Sequence, residues 1–152
     1  MSSLCEAINS RLFIMKSNMQ KTQKPNKKRT VLSVEDSDSI RSLIRMTLEF
    51  DGIAVLEANS GAAGMDMALF KHPDLILLDV KMPGISGIEL CTRLRASPQL
   101  AKIPVVMLSG HDDRELVDAA LAAGAKTYLT KPFVPLALIE LVHQLIDENE
   151  ST

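Results

Sequence analysis

Cysteine is scarce in this chain: two in 152 residues, with no close spacing between them. That excludes a disulfide framework and a metal knuckle, and it fits a reducing, cytoplasmic setting. Apolar runs are short. None approaches the roughly 20 residues that span a bilayer, and Arg11 interrupts the longest N-terminal one, so neither a membrane span nor a secretory leader is expected. No glycine-rich phosphate loop follows Val34, which argues against a nucleotide-binding fold. Internal repeats and low-complexity tracts are missing as well. What remains is 46% hydrophobic, enough for a core in one domain with a short appendage.

Charge is distributed unevenly. Residues 1–30 carry seven Lys or Arg against one acid, which leaves ten against eighteen in the rest. A basic arm suits nucleic acid or an acidic membrane surface, and a solvated linker over Lys21 to Arg29 explains it equally well; the linker reading is preferred and no nucleic acid is expected. Upstream, Leu4, Ile8, Leu12, Met15 and Met19 fall at helical spacing, while Met15 and Met19 are also alternative translation starts. Residues 1–28 are thus read as an extension and basic linker, 29–148 as the folded domain and 149–152 as a tail.

From Thr30 onward short apolar runs alternate with helical periods, the rhythm of βαβ units. Strands are expected at Thr30 to Val34, Ile53 to Glu57, Leu75 to Asp79, Ile103 to Leu108 and Thr127 to Leu129. Five helices follow them. The first buries Ile40, Leu43, Ile44, Thr47 and Leu48; the third spans about Ser86 to Ala96 and places Cys91 with Leu90 and Leu94; Asp112 or Asp113 caps the fourth; the fifth runs from Pro135 to about Asp147. Right-handed crossovers put these helices on both faces of one parallel sheet.

The centre is Pro73 to Gly87, PDLILLDVKMPGISG. Leu75 to Leu78 reads as a strand covered on both faces, and Asp79 ends it. An ionised carboxylate is unstable in a dry sheet, so the strand is expected to surface there and leave Asp79 in an exposed crevice, serving either a ligand or the turn. Glu35 and Asp36 follow the first strand, Ser109 the fourth and Lys131 the fifth. A solvated loop, a turn hydroxyl and a surface lysine are adequate explanations one at a time. Their joint arrival at one sheet edge is better explained by a phosphoryl site. Two carboxylates about 4 Å apart repel by roughly 4 kcal/mol at an effective dielectric near 20. A hard cation relieves that conflict, and an oxygen-only set suits Mg²⁺. Lys131 then supplies a charge, Ser109 a hydroxyl, and Asp79 a nucleophile able to form an acyl phosphate.

VLSVEDS, PDLILLDVKMPGISG, IPVVMLSG and GAKTYLTKPF occur in this order over Arg29 to Asp147, and together they resemble a response-regulator receiver domain of bacterial two-component signalling. The resemblance implies an α/β, flavodoxin-like, doubly wound sheet of order 2-1-3-4-5. It makes Asp79 the phosphoacceptor, Glu35 and Asp36 the acidic pair at Mg²⁺, and the Lys81 carbonyl a main-chain ligand, with Asp36 binding directly and Glu35 through water. It also makes Ser109 and Lys131 the phosphoryl contacts, Tyr128 the switch aromatic, and Lys131-Pro132 a cis bond. Glu35 departs from the commoner Asp.

Lys81 and His111 occupy positions that tune hydrolytic water, so equal phosphoryl lifetimes in Lys81→Asn and His111→Ala would contradict a role there. No output domain follows within the sequence. The implied protein is a single-domain regulator rather than an enzyme, with a sensor histidine kinase or phosphotransfer protein as donor and an unidentified output partner. Leu136 and Leu141 suggest docking or homodimerisation through the last helix. A phosphorylation-independent scaffold is the main rival, disfavoured by the complete acidic, hydroxyl and lysine set. An aspartate-nucleophile phosphatase is weaker, because Lys81 stands where such enzymes carry a second Asp.

Overall fold

A computed structural model of the protein describes residues 27–110 and 112–151. The expectations for the N-terminal helix, most of the linker, His111 and Thr152 lie outside these residues. The chain alternates strictly: β1 (Thr30–Val34), α1 (Asp38–Phe50), β2 (Ala54–Ala58), α2 (Gly61–Lys71), β3 (Leu75–Asp79), α3 (Gly87–Ala96), β4 (Val105–Ser109), α4 (Arg114–Ala122), β5 (Thr127–Thr130) and α5 (Pro135–Glu150). All strand pairs are parallel, in the order β2-β1-β3-β4-β5. This is the doubly wound flavodoxin-like topology that the sequence predicts.

Period-2 alternation explains why the central strands are apolar throughout. Ile76 and Leu78 face one way, with Leu32, Val34, Val105 and Met107, onto Ala68, Leu90, Cys91, Leu94 and Ala120 of α2, α3 and α4. Leu75 and Leu77 face the other way, with Val31, Val106 and Leu108, onto Ile44 and Leu48 of α1 and Leu138, Val142 and Ile146 of α5. Serine hydroxyls start three helices: Ser37, Ser60 and Ser86 accept the N–H groups of Ile40, Ala63 and Glu89.

Several boundaries differ from the expected ones. Ile53 is buried, but its N–H bonds to Leu48 O and closes α1, so β2 begins one residue later. Ile103 bonds back to Leu100, and Pro104 has no N–H to give a neighbouring strand, so β4 begins at Val105. The last helix continues three residues past Asp147. Leu43 is exposed rather than in the α1 core, and Leu141 packs against the core so that only Leu136 of the proposed pair stands out in solvent.

Gly87 fixes the β3–α3 connection against the sheet. A Cβ there would collide with the Asp79 carbonyl oxygen and come within 3.0 Å of Val80 Cα. Only glycine lets α3 start so close to the backbone that carries Asp79.

Candidate functional site

At the carboxyl edge of the sheet, topology collects Glu35 and Asp36 beyond β1, Asp79 at the end of β3, Ser109 at the end of β4 and Lys131 beyond β5. The carboxylates of Glu35, Asp36 and Asp79 each offer an oxygen within 4.8 Å of the other two. Asp36 is exposed, whereas Glu35 and Asp79 are 1% and 4% exposed. The expectation that the strand surfaces at Asp79 is therefore corrected. Asp79 is still paired with Leu108, and Val80 and Met82 are buried too, so the first exposed residue after β3 is Lys81.

Burial of two carboxylates requires compensation, and the neighbours supply part of it. The Lys81 N–H donates to Asp79 Oδ1 at 3.1 Å, and the Ser37 N–H to Glu35 Oε1 at 3.2 Å. Lys131 Nζ lies 3.3 Å from Glu35 Oε2 and 3.5 Å from Asp79 Oδ1. These contacts do not fully offset desolvation. Burial, reinforced by the Asp79 charge, pushes Glu35 up to about 7, and burial likewise raises Asp79 above the ordinary carboxylate range. Three oxygen donors with an excess of negative charge and one lysine have the chemistry to fit a hard divalent cation.

Lys131 is held in place by its own backbone. Its N–H bonds to Ser109 O at 2.6 Å, and the Lys131-Pro132 peptide is cis, as the motif implies. Ser109 is buried at the end of β4, and Tyr128 on β5 is 45% exposed. A groove of about 260 Å³ connects them, lined also by Arg114, Val117 and Asp118. A larger cavity of about 720 Å³ lies at the opposite end of the sheet, beside Arg95 and Lys126, away from this chemistry.

Two contacts escape sequence reasoning. Lys81 Nζ pairs with Asp113 Oδ1 at 2.6 Å, while Asp113 Oδ2 accepts the Gly110 N–H at 2.7 Å. Asp113 does occupy the N-cap of α4, but its carboxylate serves the loop and Lys81 instead of the helix. The second is Arg41, whose Nη1 donates to Glu35 O at 2.8 Å and braces the acidic loop from α1. Asp113 was legible only as a cap, and nothing in the spacing marks Arg41.

The fold is that of one family. Residues 31–143 match the response regulator receiver domain, and the chain belongs to that family, whose members are signalling phosphoacceptors of bacterial two-component systems rather than conventional enzymes. It is 40% identical over 116 residues to the transcriptional regulatory protein CseB of Streptomyces coelicolor, covering 76% of this chain and 48% of the relative. It is 39% identical over 111 residues to the phosphate regulon transcriptional regulatory protein PhoB of Pseudomonas aeruginosa, covering 73% and 48%. The chain thus spans about half the length of these relatives.

Among solved structures, a putative response regulator from Chloroflexus aurantiacus superposes with a TM-score of 0.77 at 34% identity, over 80% of this chain and 99% of that one. Chemotaxis protein CheY4 of Vibrio cholerae gives 0.73 at 32%, over 78% and 98%. Among the described residues, no helix is long and apolar enough to cross a membrane.

Proposed function

We propose that this chain accepts a phosphoryl group on Asp79 from a phosphohistidine of a sensor kinase or phosphotransfer protein, and signals by protein binding. The observation that carries the reading is the Asp79 carboxylate held by the Lys81 N–H and Lys131, with Glu35 and Asp36 beside it. Oδ1 accepts the Lys81 N–H and has the Lys131 ammonium 3.5 Å away, so one carboxylate oxygen is anchored before a donor arrives. A carboxylate oxygen attacks phosphorus, the P–N bond to the imidazole breaks, and an acyl phosphate forms on Asp79. Lys131 is within reach of the new phosphoryl oxygens, and the Ser109 hydroxyl is the nearby neutral donor. Asp36, Asp79 and the Lys81 carbonyl would hold Mg²⁺, with Glu35 behind them, and the ion would supply neutralisation of the incoming phosphoryl charge.

Incubation with acetyl phosphate and Mg²⁺ is expected to give a retarded band in Phos-tag electrophoresis for wild type and none for Asp79→Asn. An equal shift in both would remove Asp79 from the reading.

The groove between Ser109 and Tyr128 supports a switch in which the hydroxyl follows the phosphoryl group and the aromatic ring changes environment. Tyr128 is the sole tyrosine and there is no tryptophan, so intrinsic fluorescence reports this ring directly. Beryllofluoride with Mg²⁺ is expected to change the emission of wild type and to leave that of Ser109→Ala close to its starting value. An identical response in both would disconnect Ser109 from Tyr128.

A further inference from the structure

Helices α1, α2 and α3 each start on a serine that accepts an N–H of the first turn, and α4 does not follow them. Its N-cap is Asp113, a residue type well suited to capping, yet no side-chain cap bond is made there. The amides that open a helix have no intrahelical acceptor, so this carboxylate has turned away from donors within its reach. It serves the loops instead. Oδ2 accepts the Gly110 N–H at 2.7 Å, and Oδ1 pairs with Lys81 Nζ at 2.6 Å.

The two oxygens are not equally secure. Gly110 is held to Asp113 by the turn itself, in which the Asp113 N–H also bonds to Gly110 O at 3.3 Å. Oδ1 is buried, and the Lys81 ammonium is its one polar partner among the described residues. The Asp113 side chain is 7% exposed and that of Lys81 64%, so the lysine moves freely into solvent while the carboxylate has to find its next donor inside the protein. Their pairing holds Asp113 below its ordinary range and Lys81 above its own.

Lys81 is also the residue whose backbone touches the phosphoacceptor, since its N–H donates to Asp79 Oδ1. A phosphoryl group on Asp79 brings a charge of about −2 beside a lysine that Asp113 holds with a single charge. A flexible ammonium is re-aimed without disturbing any packing. Resting on the reading that Asp79 is phosphorylated, we infer that Lys81 and Asp113 form a second switch: the phosphoryl group draws the Lys81 ammonium away, and the released Asp113 carboxylate turns onto the N–H groups of Glu115 and Leu116 and caps α4. Asp113 acts as a positioning residue, because it reaches the reacting atoms only through Lys81.

The consequence is local to α4, which begins between two grooves. Arg114, Val117 and Asp118 line the one that joins Ser109 to Tyr128, and Leu116 lines an apolar one of about 420 Å³ with Lys81, Met82 and Pro83. Capping orders the turn that carries walls of both. The state of Asp79 thereby biases α4 by a route that does not pass through Ser109.

Amide hydrogen exchange at Glu115 and Leu116, followed by NMR on the full chain, tests the switch. In wild type, Mg²⁺ with saturating beryllofluoride is expected to slow both amides about fivefold, the usual worth of an N-cap, and to do so equally in Ser109→Ala. In Lys81→Met, which changes an exposed side chain and keeps its backbone, both are expected to exchange slowly before any ligand is added. In Asp113→Ala they are expected to stay fast throughout. Fast exchange in unliganded Lys81→Met, or a wild-type slowing that Ser109→Ala abolishes, would overturn the inference. A shifted Lys81 amide with Glu115 and Leu116 still fast would overturn the coupling alone and leave phosphorylation of Asp79 standing. A Lys81 amide that beryllofluoride never shifts would instead overturn the phosphoacceptor reading, and the coupling with it.

Discussion

Metal-free protein is expected to gain on the order of 3 kcal/mol of stability as the pH falls from about 7 towards 4.5, the folded and ordinary values for Glu35. Glu35 binds its proton more tightly in the folded state than in the unfolded one. Its contribution is therefore fully present below 4.5 and is lost as the pH rises through about 7. Asp79 is raised by burial as well and acts in the same direction. Asp113 acts oppositely, because its pairing with Lys81 holds it below its ordinary 3.8, and its contribution is lost only as the pH falls below that value.

Melting temperatures measured in chelator across this range check the sign. Glu35→Gln is expected to flatten the slope and to make the protein more stable than wild type at the alkaline end. Millimolar Mg²⁺ is expected to do the same for wild type, since the cation offsets the charge that protonation otherwise removes. A stability that rises with pH between 5 and 8, or a slope unaffected by Glu35→Gln, contradicts this account of the cluster.

Lys131→Met is expected to destabilise the metal-free protein at about pH 8 by roughly 3–5 kcal/mol, the usual consequence of leaving buried carboxylates without their cation. The ammonium sits 3.3 and 3.5 Å from two carboxylates, and both lie inside the protein. The loss is expected to shrink near pH 5, where Glu35 is neutral, and again when Mg²⁺ is added. Asp79→Asn in the Lys131→Met background is expected to restore much of the stability, because it removes one of the stranded charges. Denaturant titration of the two single variants and the double variant measures this coupling. Additive effects would mean that Lys131 acts through packing of its stem instead.

Much of this site was legible because topology determines it. Once Leu75 to Leu78 is read as a buried parallel strand, Asp79 must arrive at the same edge as Glu35, Ser109 and Lys131, whatever the loops do. The burial of Asp79 was not legible, since it depends on Val80 and Met82 folding back under the Lys81 turn and on Gly87 bringing α3 against the backbone. Nor was the Lys81–Asp113 pair, which joins two loops whose relative position no local pattern encodes. Leu43 misled for a related reason: on a narrow stripe its helical phase is adjacent to Ile44, and only the packing of α1 on β1 and α5 decides which of the two is covered.

The central claim is that Asp79 carries the phosphoryl group as an acyl phosphate. Borohydride reduction of protein treated with acetyl phosphate and Mg²⁺, followed by peptide mass spectrometry, tests it most directly, because reduction converts a phosphorylated aspartate to homoserine. Homoserine at position 79 and at no other carboxylate is the predicted result. An unmodified Asp79, with homoserine at another acid or a phosphoryl group that resists reduction elsewhere, would contradict it.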